Sequence, residues 1–344
     1  MRGRDILDHF ALAHAEAVAL SGEHRVRLQL AGRTLSLVFA GQALAALVSR
    51  AFRHLPVLPE SEAAADLEIR VFDSRFSGVA PPIRPWEDEV CGPRYELLGS
   101  EPDGTRMTYT AEPAAFSVYD PSRRLAVHWS ADGEDYPLLA LASPFHFVLC
   151  WWAEACGAVV VHSAAVGRDG KGLLLAGRGG SGKSSTALGC LERGLSYAGD
   201  DAVWCDVQAD PVIGWPLYAT ARVNAEDLQR FPRLAETAAP EGRKGEKRVL
   251  FLGEHFTAQI APLTLSALYL PVLGSEAETR VESASRTDAL RALIPWTLDF
   301  HPHSGPRTLF LVMLLIQRLP KVRLILGTDR EAALDTLASI LEGR

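Results

Sequence analysis

Hydrophobic and polar positions alternate over much of the first third of the chain. The segments 25–30 and 34–39 alternate, or nearly so, on either side of Ala31-Gly32-Arg33, which predicts a β-hairpin. A helical pattern follows at 43–55, the proline-rich segment 76–92 indicates an irregular loop, and short apolar runs predict strands at 65–72, 94–98, 105–111, 115–119 and 125–130. We therefore predict a β-rich α+β domain over residues 1–135, with no catalytic motif, that serves substrate recognition or assembly.

The pattern changes at about residue 136, where longer apolar segments begin. It predicts helices at 138–156, 309–318 and 330–341 and strands at 158–166, 173–176, 197–205, 265–272 and 322–326. Buried strands interspersed with helices are typical of α/β domains. We therefore predict an α/β domain over residues 136–344.

Composition and charge exclude several classes of protein. The 344 residues are 48% hydrophobic and 22% charged, and the net charge of −7 argues against a nucleic-acid-binding protein. The most apolar stretch, 137–166, is interrupted by Pro144, His146, Glu154 and His162, so it does not predict a membrane span. The five cysteines form no CxxC or zinc spacing, and no signal peptide opens the chain. We expect a cytoplasmic protein with reduced thiols.

The most informative motif is Gly-Arg-Gly-Gly-Ser-Gly-Lys-Ser at 177–184, which matches the phosphate-binding pattern G-x-x-x-x-G-K-[ST]. It lies between a predicted strand and a segment that can start a helix. Glycines let successive N–H groups converge on phosphate, and the helix dipole adds to the attraction. Lys183 would reach the β- and γ-phosphates of ATP, and the Ser184 hydroxyl would hold Mg²⁺. The predicted nucleotide contacts are Gly177, Gly179, Gly180, Ser181, Gly182, Lys183, Ser184 and Ser185.

Two further features stand at fixed distances from this loop. His162 lies 15 residues before Gly177, at the end of an apolar strand, and Asp200 and Asp201 lie 17 and 18 residues after Lys183, also at a strand end. Phosphoryl transfer needs a metal ligand and a base for the attacking hydroxyl, and two adjacent carboxylates raise one pKa, which suits a base. In the alternative interpretation these residues have structural roles only: His162 caps a core strand, and Asp200 and Asp201 cap a turn or a helix.

These features together resemble the HPr kinase/phosphorylase family of P-loop serine kinases. The resemblance rests on His162-Ser-Ala-Ala-Val, the loop 177–184, Thr186-Ala-Leu, Arg193-Gly194 and Asp200-Asp201. It implies an α/β P-loop kinase domain of the HPr-kinase type over 136–344. It also implies that Asp200 is the base, that Asp201 and Ser184 sit at the Mg²⁺, and that His162 lines the site near the transferred phosphate. The family resemblance is also compatible with a homo-oligomer.

One departure from the family bears on the acceptor. Bifunctional members carry a Glu-x-Arg-Gly-x-Gly signature after the aspartates, whereas 215–224 here reads Trp-Pro-Leu-Tyr-Ala-Thr-Ala-Arg-Val-Asn. The chain is more similar to diverged members such as kinases of lasso-peptide precursors. That resemblance implies a serine hydroxyl of a peptide or protein as acceptor, for example a ribosomally made precursor peptide. A kinase of a small hydroxyl compound and a nucleotide-binding regulator without transfer chemistry remain alternatives.

Basic residues outside the motif leave two interpretations open. Arg243, Lys244, Lys247 and Arg248 form either a solvated mobile loop or a loop that grips ATP or an acidic peptide. Arg222 either contacts a phosphate or forms a salt bridge. His301 and His303 have no third ligand nearby in sequence and do not predict a metal site.

Overall fold

The computed structural model describes residues 3–88, 92, 95, 97, 104–112, 114–133, 136–240, 247–299 and 301–343. The chain divides into two compact units. The first consists of Met1–Arg50, Leu55–Ala155 and His301–His303, and the second of Ala51–His54, Cys156–Phe300 and Ser304–Arg344.

A six-stranded sheet forms the centre of the first unit, in the order β1-β2-β3-β6-β5-β4 among the described residues. The elements of this unit are α1 (Gly3–Ser21), β1 (Glu23–Leu30), β2 (Arg33–Ala40), α2 (Gln42–Val48), β3 (Leu67–Asp73), α3 (Ser74–Ser77), α4 (Pro85–Asp88), β4 (Arg106–Ala111), β5 (Ala114–Asp120), β6 (Leu125–Ser130), α5 (Leu138–Ala142) and α6 (His146–Ala155). The predicted β1–β2 hairpin is confirmed, with Leu30 paired to Arg33. Helix α1 packs its buried Phe10 against Phe116 of the sheet.

Several features of this unit differ from the predictions, and the helix expected at 43–55 is α2, which ends at Val48. Helix α1 was not predicted, and the expected loop at 76–92 contains the short helix α4. The helix expected at 138–156 is two helices, because Pro144 has no N–H and disfavours helical geometry in the residue before it, and Phe145 has a φ of 56°. Much of the strand predicted at 94–98 lies outside the described residues.

The second unit is built on a mixed sheet of nine strands among the described residues, in the order β10-β8-β9-β15-β12-β11-β7, with β17 beside β15 and β16 beside β17. The elements are β7 (Val159–Val161), β8 (Ala164–Arg168), β9 (Lys171–Leu175), α7 (Lys183–Glu192), β10 (Ser196–Gly199), β11 (Val203–Asp206), β12 (Ile213–Pro216), β13 (Thr220–Val223), α8 (Ala225–Leu228), α9 (Pro232–Ala235), β14 (Arg248–Phe251), β15 (Leu263–Leu273), β16 (Arg280–Ser283), α10 (Arg286–Asp299), α11 (Pro306–Arg318), β17 (Lys321–Leu326) and α12 (Arg330–Leu341). Strands β9, β15 and β17 are parallel neighbours, so their carboxyl ends share one edge.

Helices cover both faces of this sheet. Alternate residues of β9 enter two different cores, Leu173 and Leu175 in one and Leu174 in the other, as expected of a strand buried on both sides. The first core contains α7 and α12, and the second contains α10 and α11. The loop after β9 therefore emerges between two helical layers, at the carboxyl edge of the parallel strands.

Two segments that we expected to be single strands are each split. The segment 158–166 forms β7 and β8, which lie apart in the sheet, and 197–205 forms β10 and β11. The breaks fall at His162-Ser163 and at 200–202. Asp201 has a φ of 68°, a left-handed conformation that aspartate tolerates better than most residues. As a result, His162 directly follows β7 and Asp200 directly follows β10, so both stand at strand ends, where we expected them.

Two observations bear on the expectations that the chain has no membrane span and that its thiols are reduced. No helix in the described part of the chain combines the length and apolarity needed to span a membrane. The four cysteines that the structure describes, Cys150, Cys156, Cys190 and Cys205, are free.

Candidate functional site

The loop at 176–182 connects β9 to α7, and glycine is favoured at three of its positions, by backbone conformation at two and by a close approach at the third. A Cβ on Gly177 would lie 2.8 Å from Oγ of Ser181. Gly180 and Gly182 have φ angles of 76° and 97°, and a Cβ on Gly182 would lie 2.6 Å from Cδ1 of Leu326. The tight curl ends at the first turn of α7, where the leading N–H groups of a helix lack intrahelical partners.

Lys183 curls back over this loop. Its Nζ donates hydrogen bonds to the carbonyl oxygens of Gly177 at 2.6 Å and Arg178 at 3.1 Å, and the residue is 5% exposed. Burial lowers the pKa of Lys183, although the carboxylates of Asp200 and Asp201 act against that shift. The ammonium group is therefore held where it can meet a phosphate chain that binds to the loop.

Ser184 and Asp200 meet at the start of α7. The Ser184 hydroxyl donates a hydrogen bond of 3.1 Å to Oδ1 of Asp200. Asp200 is 8% exposed, and its buried Oδ2 has no hydrogen-bond partner among the described residues. Burial raises the pKa of Asp200 to about 7, and the charge of Asp201 adds to the shift. Asp200 is thus a buried carboxyl group with one oxygen available to a cation or a proton.

Asp201 lies in a different electrostatic environment. Oδ2 of Asp201 accepts a hydrogen bond of 2.8 Å from Nε of Arg222 and a second one from Nη2. Burial would raise the pKa of Asp201, but the charges of Arg222 and His162 and the Arg222 hydrogen bond lower it overall. Asp201 is therefore ionised at neutral pH. Of the two roles that we considered for Arg222, the structure has the salt bridge.

His162 lies beside this ion pair, with Nε2 3.9 Å from Oδ1 of Asp201. Its backbone N–H donates to the Thr297 hydroxyl on α10 at 3.3 Å. Burial lowers the pKa of His162, and the attraction of Asp201 opposes this only in part. A largely neutral imidazole at pH 7 can accept or relay a proton near the carboxylates.

The structure therefore brings His162, Lys183, Ser184, Asp200 and Asp201 to one edge of the sheet. It differs from the family-based expectation in one contact, because Ser184 touches Asp200 and not Asp201. Ser185 is exposed one residue further along α7. Thr297 was not predicted from the sequence, because nothing in the sequence distinguishes it from other polar residues of a helix. The sequence also did not identify Asp201 as the partner of Arg222.

The chemistry of the site fits Mg²⁺ together with a phosphate chain. The described residues contain no group of three or more His, Cys, Asp or Glu side chains that could hold a metal ion unaided. Magnesium bound with a nucleotide needs only one or two protein oxygens, because phosphates and waters supply the rest. Ser184 Oγ and the unpartnered carboxyl of Asp200 are such a pair.

The predicted basic loop lies mostly outside the described residues, including Arg243 and Lys244. Lys247 is exposed, and its charge helps to lower the pKa of both Lys183 and Asp201. Arg248 belongs to β14 and donates to the Ala239 carbonyl at 2.7 Å. The end of this segment therefore lies within electrostatic reach of the site, and its role in binding stays a prediction.

Comparisons with known proteins give little beyond this geometry. No protein-family model matches the sequence, and no curated protein matches it. Among solved structures, the chain is similar to the HPr(Ser) kinase/phosphatase from Coxiella burnetii, at 14% identity over 54% of this chain and 88% of that chain, with a TM-score of 0.27. A similarity at this level identifies neither a family nor an activity, so the function has to be inferred from the site.

Proposed function

We propose that this protein is an ATP- and Mg²⁺-dependent kinase that transfers the γ-phosphate to a serine hydroxyl of a peptide or protein. The observation that carries the proposal is the hydrogen bond between Ser184 and Asp200, directly after the glycine-rich loop. The hydroxyl at this position of a phosphate loop binds Mg²⁺, and here it contacts the buried carboxyl group of Asp200. A second carboxylate, Asp201, is the next residue in the chain. A loop that only bound a nucleotide would not require the second acidic group.

The loop and Lys183 would bind the phosphates. The N–H groups of 177–184 would cradle the chain, and the Lys183 ammonium would move from the loop carbonyls to the β- and γ-phosphates. Mg²⁺, when bound, neutralises charge on the phosphates, and Ser184 and Asp200 are the residues that would hold it. A cation beside Asp200 would favour its ionised form and so oppose the effect of burial on its pKa.

With Asp200 at the Mg²⁺, Asp201 is the favoured base, although its lowered pKa makes it a weaker proton acceptor than a carboxylate with a raised pKa. It is ionised, Arg222 fixes its orientation, and His162 lies next to its other oxygen. As the serine Oγ attacks the γ-phosphorus and the bond to the ADP oxygen breaks, the hydroxyl proton would pass to Asp201 or His162. This assignment exchanges the two aspartate roles that the family resemblance implies, and the contacts of Ser184 support the exchange.

The test uses the purified full-length protein with Mg²⁺-ATP and three classes of acceptor: serine-containing peptides encoded by neighbouring genes, free serine, and water. We expect phosphoserine on a peptide, detected by mass spectrometry together with ADP formation. Phosphorylation of free serine alone would favour the small-molecule alternative. ATP binding without transfer to any acceptor would favour a nucleotide-binding regulator.

A further inference from the structure

A cleft of about 390 Å³ opens beside the phosphate loop within the second unit. Loop residues 176–178 and 180–181 form one side of it, and the carboxyl end of β15, 270–273, forms another. The remaining side comes from α10 and β17. The cleft is therefore continuous with the loop and lies at the same edge of the sheet.

The cleft has one apolar wall and one charged wall, and the charged wall contains Arg291, Arg323 and the carboxylate of Asp288. Leu270, Pro271, Val272 and Leu273 make the apolar wall, and Val272 and Leu273 are 47% and 65% exposed, which is high for side chains of this type. Arg323 on the opposite wall is paired with Asp288 at 3.1 Å. Arg291 is exposed and makes no ion pair or hydrogen bond with the described residues.

A buried polar group also lies at this cleft without a partner. Ser181 is 7% exposed and lines the cleft, and its Oγ makes no hydrogen bond within the described part of the chain. Buried hydroxyl groups are nearly always satisfied, so an unsatisfied one beside a cavity indicates a ligand or water that completes it. Among the described residues, the cleft therefore offers an apolar wall, an arginine without an ion pair and a hydroxyl group without a hydrogen bond. These groups suit a ligand that has a flat or apolar part and carries negative charge.

We propose that this cleft binds the base and ribose of the nucleotide, which rests on the proposed kinase function. The groups assigned to the reacting phosphate, Asp200, Asp201 and His162, do not line the cleft. Residues 176–178 and 180–181 of the loop line the cleft and Ser184 does not, so a phosphate chain whose reacting end lies at Ser184 can extend along the loop into the cleft. There the apolar wall would cover one face of the base, and Arg291 would stack on the base or pair with the α-phosphate.

An acceptor peptide fits this cleft less well. Its serine has to reach Asp201 and His162, neither of which faces the cleft. The volume is instead within the range of about 300–1,000 Å³ that holds small molecules and cofactors. The peptide is therefore the competing outcome of the test below.

The test fills the cleft and compares two ligands that share the same phosphates. Val272→Trp places a large ring on the apolar wall, and Val281→Trp on β16 is the matched control, because Val281 is 46% exposed and does not line the cleft. Dissociation constants for Mg²⁺-ATP and Mg²⁺-tripolyphosphate are measured by titration calorimetry on the full chain. Tripolyphosphate lacks the base and ribose, so it reports on the loop alone.

We expect Val272→Trp to weaken ATP binding by about tenfold or more, the effect of closing a ligand pocket, and to leave tripolyphosphate binding within about twofold. Val281→Trp should change neither. Ala292→Phe, which fills the cleft from α10, is a second variant in case Val272→Trp does not fold.

Three results would overturn the inference while leaving the kinase proposal standing. They are unchanged ATP affinity in both filled variants, equal weakening of ATP and tripolyphosphate, and unchanged ATP affinity with a raised KM for the peptide acceptor. The third would assign the cleft to the acceptor. A wild-type protein that binds neither ATP nor tripolyphosphate would instead contradict the proposed function itself.

Discussion

At the scale of single residues, the two adjacent aspartates differ more than their sequence suggests. Asp200 contacts the Ser184 hydroxyl, whereas Asp201 is held by Arg222. The sequence could predict that His162, Lys183 and the aspartates converge, because their spacing around one loop is specific. It could not predict which aspartate faces Ser184, because that depends on the turn at 200–202, where Asp201 adopts a left-handed conformation.

Exchanging each aspartate for asparagine separates the two roles. We expect Asp200→Asn to raise the Mg²⁺ concentration needed for half-maximal ATP binding, because it removes an anionic ligand beside Ser184. Asp201→Asn should leave Mg²⁺-ATP affinity nearly intact and cut turnover about 100-fold or more, the usual effect of losing a positioned base. Calorimetric titration and steady-state kinetics measure the two effects. The opposite pattern would restore the assignment that the family resemblance implies.

A buried histidine in the first unit predicts a loss of stability in acid. His128 bonds to the Ser117 and Tyr136 hydroxyls at 2.8 and 2.7 Å, and burial lowers its pKa to about 4. Because the folded pKa lies below the unfolded value of about 6.5, this stability is complete above pH 6.5. As the pH falls from 6.5 towards 4, it declines by up to about 3 kcal/mol.

Hydrogen exchange of the β5 and β6 amides measures this effect locally. Exchange free energies in the wild type should fall between pH 7 and pH 5. The matched variant His128→Gln should show a smaller decline, whatever its absolute stability. An equal decline in both proteins would assign the acid sensitivity to other groups, such as the buried His54 in the second unit, whose pKa burial also lowers to about 4.

At the scale of elements, the sequence predicted the type of most strands and helices but not their breaks. The segment 158–166 is apolar on both sides of His162-Ser163, so no change of period marks the point where one strand ends and the next begins. Helix α10 contains Pro295, which usually argues against a helix interior, and it was not predicted. Helix α1 could have been found, since its buried residues Ile6, Phe10, Ala13 and Ala17 follow helical spacing.

The glycines of the phosphate loop give an element-scale prediction with an internal control. Gly182→Ala would place a methyl group 2.6 Å from Cδ1 of Leu326 at a φ of 97°. We expect it to lower the free energy of unfolding by about 1–3 kcal/mol and to abolish tripolyphosphate binding. Gly179→Ala has no protein atom within 4 Å of the added carbon and should leave the free energy of unfolding nearly unchanged. Thermal unfolding and calorimetry would contradict this account if the two variants behaved alike.

At the scale of the whole molecule, the sequence predicted a β-rich first part and an α/β second part. It could not predict that a short piece of the early chain belongs to the second unit, because such contacts are distant in sequence. Ala51–His54 is part of that unit, and the Ala51 carbonyl accepts a hydrogen bond of 2.7 Å from the Ala219 N–H. That the first part serves recognition or assembly stays a prediction.

A substitution in this piece should destabilise the second unit. Phe52 is 1% exposed, and its ring centroid lies 5.6 Å from that of Tyr218. Truncation by Phe52→Ala should cost about 3–5 kcal/mol, the usual effect of removing a buried aromatic ring. Urea unfolding measures the loss in the free energy of unfolding, and hydrogen exchange of the β13 amides measures it within the second unit. A decrease of less than about 1 kcal/mol in the free energy of unfolding would mean that residues 51–54 contribute little to the stability of this unit.

The measurement that tests the central claim most directly is phosphate transfer by the wild type and by Lys183→Ala. Both full-length proteins are given Mg²⁺-ATP and a serine peptide from a neighbouring gene, and phosphoserine is quantified by mass spectrometry. The wild type should form phosphoserine. Lys183→Ala should remain folded by circular dichroism and lose about 1,000-fold or more in rate, because the ammonium no longer offsets charge on the transferring phosphate. Equal rates in the two proteins would contradict the proposed active site.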